Sequence, residues 1–143
     1  MNWDLSRPRE SMDELTGIYP EMVRYFEGWG RRGDDGYIVE EEGRSVGAAW
    51  FRLFSAEASG FGFVDEEAPE FSIALVPEAR GRGIGTSLLS ALLDLARDMG
   101  FPRISLSVAI ANPARRLYER FGFVKVRDDA DGYQTMFMDL DPA

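Results

Sequence analysis

The chain has 143 residues, 45% of them hydrophobic and 29% charged. That is enough for one globular domain with its own core. It has no cysteine and no histidine, so disulfide scaffolds, zinc ribbons, cysteine nucleophiles and Ser-His-Asp triads are excluded, and a metal would need oxygen ligands alone. The net charge of −9 disfavours nucleic acid, which is bound by neutralising phosphates. No apolar run approaches the ~20 residues of a membrane helix. The acidic balance suits a cationic partner or simply keeps the chain in solution. The first ten residues are polar and show no secretory signal, and the lack of cysteine fits a cytoplasmic protein.

In residues 11–28, Met12, Leu15, Ile18, Met22, Tyr25 and Phe26 recur at three- and four-residue steps. The spacing predicts an amphipathic helix that Pro20 kinks or splits. Residues 28–36 are rich in turn formers. Residues 37–41 read as a strand, Glu42-Gly43 as a hairpin turn, and residues 45–54 as a second strand. A loop over 55–69 precedes a third strand at 70–76, ended by Pro77. Residues 83–99 form a strong helix with Ile84, Leu88, Leu89, Leu92, Leu93 and Ala96 on one face, stopped by Gly100. A strand at 104–110 leads to a helix at 113–121, with Pro113 in its first turn and Gly122 closing it. Strands at 123–127 and 135–140 finish the chain. The order predicts a single domain over residues 1–143, a mixed α/β sheet with helices on both faces.

The segment Arg80-Gly81-Arg82-Gly83-Ile84-Gly85-Thr86 lies between a strand and a long helix. Glycines let backbone approach a ligand without Cβ clashes. The first turn of a helix leaves N–H groups unpaired and carries partial positive charge, which together suit phosphate. Arg80 and Arg82 would add charge-assisted bonds. No lysine completes a Walker loop, and Thr86 stands where a dinucleotide fingerprint needs glycine. A purely structural turn is the alternative reading.

Arg80-Gly81-Arg82-Gly83-Ile84-Gly85 resembles the Arg/Gln-x-x-Gly-x-Gly/Ala motif of the GNAT superfamily of N-acetyltransferases. The preceding Ile73-Ala74-Leu75-Val76-Pro77 looks like that family's fourth strand and its exit. Asn112, with Leu117-Tyr118-Glu119-Arg120-Phe121-Gly122-Phe123, resembles its Asn…Leu-Tyr-Glu-x-x-Gly-Phe signature. The resemblance covers residues 37–140. It implies a mostly antiparallel sheet, with strands splayed after Val76 and near Ile110 as a slot for the acyl donor. Acetyl-CoA or another acyl-CoA would be that donor, with no metal. Its pyrophosphate would lie on the N–H groups of residues 81–86, and its pantetheine arm would run beside Ile73, Ala74 and Leu75. Asn112 would hydrogen-bond that arm, or cap the helix at Pro113, or do both.

The resemblance further implies direct attack of a neutral primary amine, of a small molecule or a peptide, on the thioester. A backbone N–H near Leu75 would polarise the carbonyl. Tyr118 matches the family's general acid; packing alone is its bland alternative. The family's fifth-strand glutamate is replaced by Ser107, so Glu70 is the candidate base, with water or Glu66 and Glu67 as alternatives. Trp29, Trp50, Phe54, Phe61 and Phe63 are candidates for the acceptor wall, though most aromatics are core. The family's first strand and helix look missing or shortened here. An edge left bare would be covered by a second subunit or by residues 1–8, and a homodimer is the family's expectation. A non-catalytic acyl-CoA sensor or a partner-binding domain is the alternative to an enzyme.

Overall fold

The computed structural model describes residues 4–6, 24, 25 and 27–140. Its strands are β1 (Asp4–Ser6), β2 (Asp35–Glu41), β3 (Arg44–Arg52), β4 (Glu70–Leu75), β5 (Arg103–Ala109), β6 (Val124–Asp128) and β7 (Tyr133–Asp139). Its helices are α1 (Ile84–Asp98) and α2 (Ala114–Phe121). The sheet is mixed and mostly antiparallel. Up to residue 23, the helix expected over 11–28 lies outside the described residues. Among the described residues no helix is long and apolar enough to cross a membrane. The chain forms two compact units, Met1–Arg52 with Ser72–Leu95, and Leu53–Phe71 with Ala96–Ala143.

The first unit has the strand order β1-β2-β3-β4. β2 and β3 form an antiparallel hairpin with Ile38 opposite Ala48. Glu42 (φ 52°) and Gly43 (φ 77°) make its turn, both left-handed as a two-residue type I′ hairpin requires. β3 is buried at every position from Val46 to Arg52. It therefore reads in sequence as one apolar run rather than an alternation. Val76 N–H donates to Val46 O at 2.9 Å just past β4. The core of the unit holds Ile38, Val39, Ala48 and Phe51, together with Leu88, Leu89 and Leu92 of α1. β1 is the shortened first strand that was one of the two expectations, and it lies within residues 1–8. It is only three residues long, yet it pairs antiparallel with β2, Leu5 opposite Val39. The edge of β2 is thus covered from within the chain.

The second unit has the order β4-β5-β7-β6. β4 meets β5 in parallel, Glu70 opposite Ser105, and Ser105 N–H donates to Pro69 O at 3.0 Å. β5 and β7 are antiparallel with Leu106 opposite Met136. Ile104, Leu106, Phe123, Met136 and Leu140 form the core. β6 is exposed along its whole length. Lys125 on it pairs with Asp128 at 3.2 Å, a charged edge of the kind that resists further strand pairing.

Candidate active site

β4 leads into the glycine loop of the first unit. Ala74 is buried, and Ile73 and Leu75 are half-buried. Gly47 on β3 makes room for Leu75, because a Cβ there would meet the Leu75 side chain and lie 3.2 Å from Ala74 O. The chain then makes a 3-10 turn at Pro77–Ala79 and an extended step at Arg80. Gly81 (φ 73°) and Gly83 (φ 82°) take left-handed backbone, which costs an L side chain about 1–2 kcal/mol. At neither glycine would a Cβ have an atom within 4 Å, so the loop is open as well as turned. Ser87 N–H donates to Gly83 O at 3.1 Å. The N–H groups of Ile84, Gly85 and Thr86 precede that bond and lack intrahelical acceptors. The first turn of α1 has no acidic side chain, which leaves the positive helix end to an outside anion.

The two arginines of the loop differ. Arg80 is exposed. Arg82 is held by Glu41 of β2, NH1 donating to Oε1 at 3.0 Å and NH2 to Oε2. Those hydrogen bonds push the guanidinium pKa further up. Arg82, expected to add a charge-assisted bond to phosphate, is here engaged by a carboxylate.

In the second unit, α2 carries Tyr118. Asn112 Oδ1 accepts the Ala114 N–H at 2.9 Å, so Asn112 satisfies one of the open donors at the start of α2. The helix closes at Gly122 (φ 111°). Gly122 N–H donates to Glu119 O and Phe123 N–H to Tyr118 O, each at 3.0 Å. These are the paired bonds of a Schellman closure, which folds the residue after the glycine back onto the last turn. Here that residue is Phe123, whose ring centroid lies 6.0 Å from Tyr118, and Phe71 of β4 is 5.6 Å from both. Burial in this cluster pushes the Tyr118 phenol up to about 12. It stays protonated throughout the neutral range.

Glu70 opens β4 and is 3% exposed. Gly60 leaves the space its carboxylate fills, because a Cβ there would lie 3.1 Å from both Glu70 Cδ and Phe54 Cε2. The fully buried Ser105, in register with it, has a hydroxyl with no hydrogen-bond partner among the described residues. In the loop between β3 and β4, Asp65 accepts Arg103 NH1 at 2.7 Å. Burial pushes the Asp65 carboxyl up, but hydrogen bonds from Arg103 and the Glu67 N–H outweigh it and hold it below the usual value.

The aromatic candidates fall apart into different roles. Trp50 is corrected to core: it is 1% exposed and its Nε1–H donates to Tyr25 O at 3.1 Å, so it offers no face to an acceptor. Trp29 is half-buried with the Arg52 guanidinium 5.8 Å from its ring centroid, within cation–π range. Phe61 is 55% exposed. Phe63 is half-buried, and its carbonyl accepts Arg127 NH2 at 3.1 Å. Residues Ile73 to Thr86, Trp29 and Trp50 belong to the first unit, and Glu70, Phe54, Phe61, Phe63, Asn112 and Tyr118 to the second.

The model of the Acetyltransferase (GNAT) family matches residues 3–123. The chain belongs to that family. It is 37% identical over 94 residues to a mycothiol acetyltransferase of Acidimicrobium ferrooxidans, covering 64% of this chain and 28% of that protein. It is 29% identical over 127 residues to a spermidine N(1)-acetyltransferase of Vibrio cholerae, covering 87% and 66%. The chain thus spans less than two thirds of the length of each of these curated relatives. Among solved structures it resembles a GNAT superfamily phosphinothricin acetyltransferase from Sinorhizobium meliloti in complex with AcCoA. The TM-score is 0.75 at 24% identity, over 98% of this chain and 89% of that one, which is a likeness of fold.

Three residues important to this GNAT chain escaped the sequence reading. Glu41 was hidden at the end of the strand read over residues 37–41, where nothing in the sequence marks its partner. Arg52 sits in an apolar strand, and a buried charge requires a partner, which was the available signal. That partner is Asp34: Arg52 Nε donates to Oδ1 at 2.9 Å and NH2 to Oδ2 at 2.7 Å. Arg52 NH1 also donates to Glu27 O at 2.6 Å and Arg24 O at 3.2 Å.

Proposed function

We propose that this GNAT chain is an N-acetyltransferase that moves an acetyl group from acetyl-CoA to a primary amine by direct attack. The observation that carries the reading is the glycine loop, with left-handed Gly81 and Gly83 opening onto an acid-free first turn of α1 in a chain of this family. The pyrophosphate would rest on the N–H groups of residues 81–86, and the pantetheine arm would hydrogen-bond along Ile73 to Leu75 as an added strand. Asn112, although engaged as a cap, keeps its Nδ2 donors for that arm.

In the chemical step the amine nitrogen attacks the thioester carbon, the C–S bond breaks, and the proton shed by nitrogen balances the one gained by sulfur. A backbone N–H at Leu75 would stabilise the oxyanion. The phenol near 12 is a weaker acid than a thiol of ~8.5. Tyr118 is therefore read as a hydrogen-bond donor to the departing sulfur. Complete protonation by it requires the bound donor to lower its pKa. Glu70 is read as the acceptor of the amine proton, directly or through water. Phe61, Phe63 and Trp29 are read as acceptor-side residues. The relatives' names, mycothiol and spermidine, suggest amine acceptors of small size, and the net charge of −9 suits a cationic one. The reading extends to a homodimer in the cytoplasm, which light scattering and fractionation would check.

The test is a calorimetric titration with acetyl-CoA on the parent and on Gly83→Glu. One-site binding in the parent that is lost in the variant is expected; equal binding by both, or none by the parent, overturns the donor site. An amine screen that reads released CoA with a thiol reagent follows, free of protein background because the chain has no cysteine. Turnover that survives in Tyr118→Phe at the parent rate would overturn the role of Tyr118.

A further inference from the structure

The hairpin end between β2 and β3 carries Glu40, Glu41 and Glu42, and of these Glu41 reaches the glycine loop. Its pair with Arg82 is bidentate, the geometry in which a guanidinium also grips phosphate. The two side chains are 24% and 33% exposed, so the pair is neither locked in the core nor fully in water. On either side of Arg82 the backbone is open, since a Cβ on Gly81 or Gly83 would touch nothing within 4 Å. The carboxylate therefore holds the one side chain that lies between the two open glycines, in the loop where an anion is to bind.

We infer that Glu41 is the resident anion of the donor loop: it keeps Arg82 engaged until a phosphate of the acyl-CoA displaces it, and it thereby sets donor affinity. This rests on the donor reading above. Two costs and one gain set the balance. Donor binding must break an ion pair, must bring phosphate close to a carboxylate, and regains the lost pair only when Arg82 turns to the phosphate. Neutralising Glu41 removes the two costs and leaves Arg82 for the gain.

The experiment is a calorimetric acetyl-CoA titration of the parent, Glu41→Gln, Arg82→Gln and the double variant, with thermal unfolding of each. Glu41→Gln keeps the side-chain shape. A part-exposed ion pair is worth little, so the expected gain is about three- to fivefold in Kd. The gain must vanish in the Arg82→Gln background, because it acts through that side chain. Equal or weaker binding by Glu41→Gln overturns the inference and makes the pair a simple clamp. A gain that persists without Arg82 also overturns it, in favour of a general charge effect. Failure of the donor reading looks different: Gly83→Glu would then bind as the parent does, and both readings would fall together.

Discussion

Removing Asp34 takes its bidentate carboxylate partner from a buried cation. The Asp34 side chain is 0% exposed and that of Arg52 is 1% exposed. Asp34 Oδ2 also accepts the N–H groups of Gly30 at 3.1 Å and Arg31 at 2.9 Å. Asp34→Ala therefore leaves a guanidinium without its counter-charge and two backbone donors without an acceptor. Breaking one side of a buried pair costs about 3–5 kcal/mol. The Arg52 bonds to the Glu27 and Arg24 carbonyls remain, which places the expectation near ~3–4 kcal/mol. That is a large part of the ~5–15 kcal/mol that holds a domain together, and corresponds to a fall of roughly 10 °C in Tm at about 3 °C per kcal/mol. Urea unfolding, followed by tryptophan fluorescence with Trp29 5.8 Å from the Arg52 guanidinium, measures it. The companion variant Asp34→Leu with Arg52→Met removes both charges and is expected to lose much less than Asp34→Ala alone. A loss below ~1 kcal/mol in Asp34→Ala, the level of an exposed pair, would refute the reasoning. It would mean that water or the two carbonyls satisfy Arg52 without Asp34.

Two further outcomes concern α2. Tyr118 titrates near 12 in the fold and near ~10 unfolded. The stabilisation from keeping it neutral is thus complete below pH ~10 and is lost as pH rises toward 12. Ultraviolet titration of tyrosine should lose a step near pH 12 in Tyr118→Phe, and an unchanged curve would be the contrary result. Gly122→Ala must hold a left-handed residue and sets a Cβ 3.2 Å from Met138 Sδ. It is expected to cost about 1–2 kcal/mol, to loosen Phe123 from Tyr118, and to lower turnover more than Asn112→Ser does. Full stability and full turnover in Gly122→Ala would contradict the role given to the closure.

Regular elements were legible because their signals are local. The period of Leu88, Leu89, Leu92 and Leu93 and the stop at Gly100 place α1 within a residue at each end. Gly122 marks the end of α2 as expected. The glycine loop was legible for the same reason, since left-handed Gly81 and Gly83 are what that run of glycines encodes. What stayed hidden depends on partners far apart in the chain. Nothing near Arg82 announces Glu41, 41 residues away, and nothing near Trp50 shows that its indole is closed off by the Tyr25 carbonyl. β1 could be expected only as a shortened strand somewhere in residues 1–8, because three residues are too few for a period. Their pairing with β2 supplies what their own pattern does not.

Lys125 is the one lysine of the chain, and there is no histidine. The cations that tie the fold together, Arg52, Arg82, Arg103 and Arg127, are therefore all guanidinium groups. A guanidinium stays protonated and, unlike a lysine amine, is not a target of acetylation. The single side-chain amine stands on exposed β6, in a pair with Asp128 whose partners are 53% and 57% exposed, where such a contact contributes little. Acetylation of lysine would therefore leave these internal ties untouched. Among the side chains, the one amine open to acylation sits where its loss does little harm.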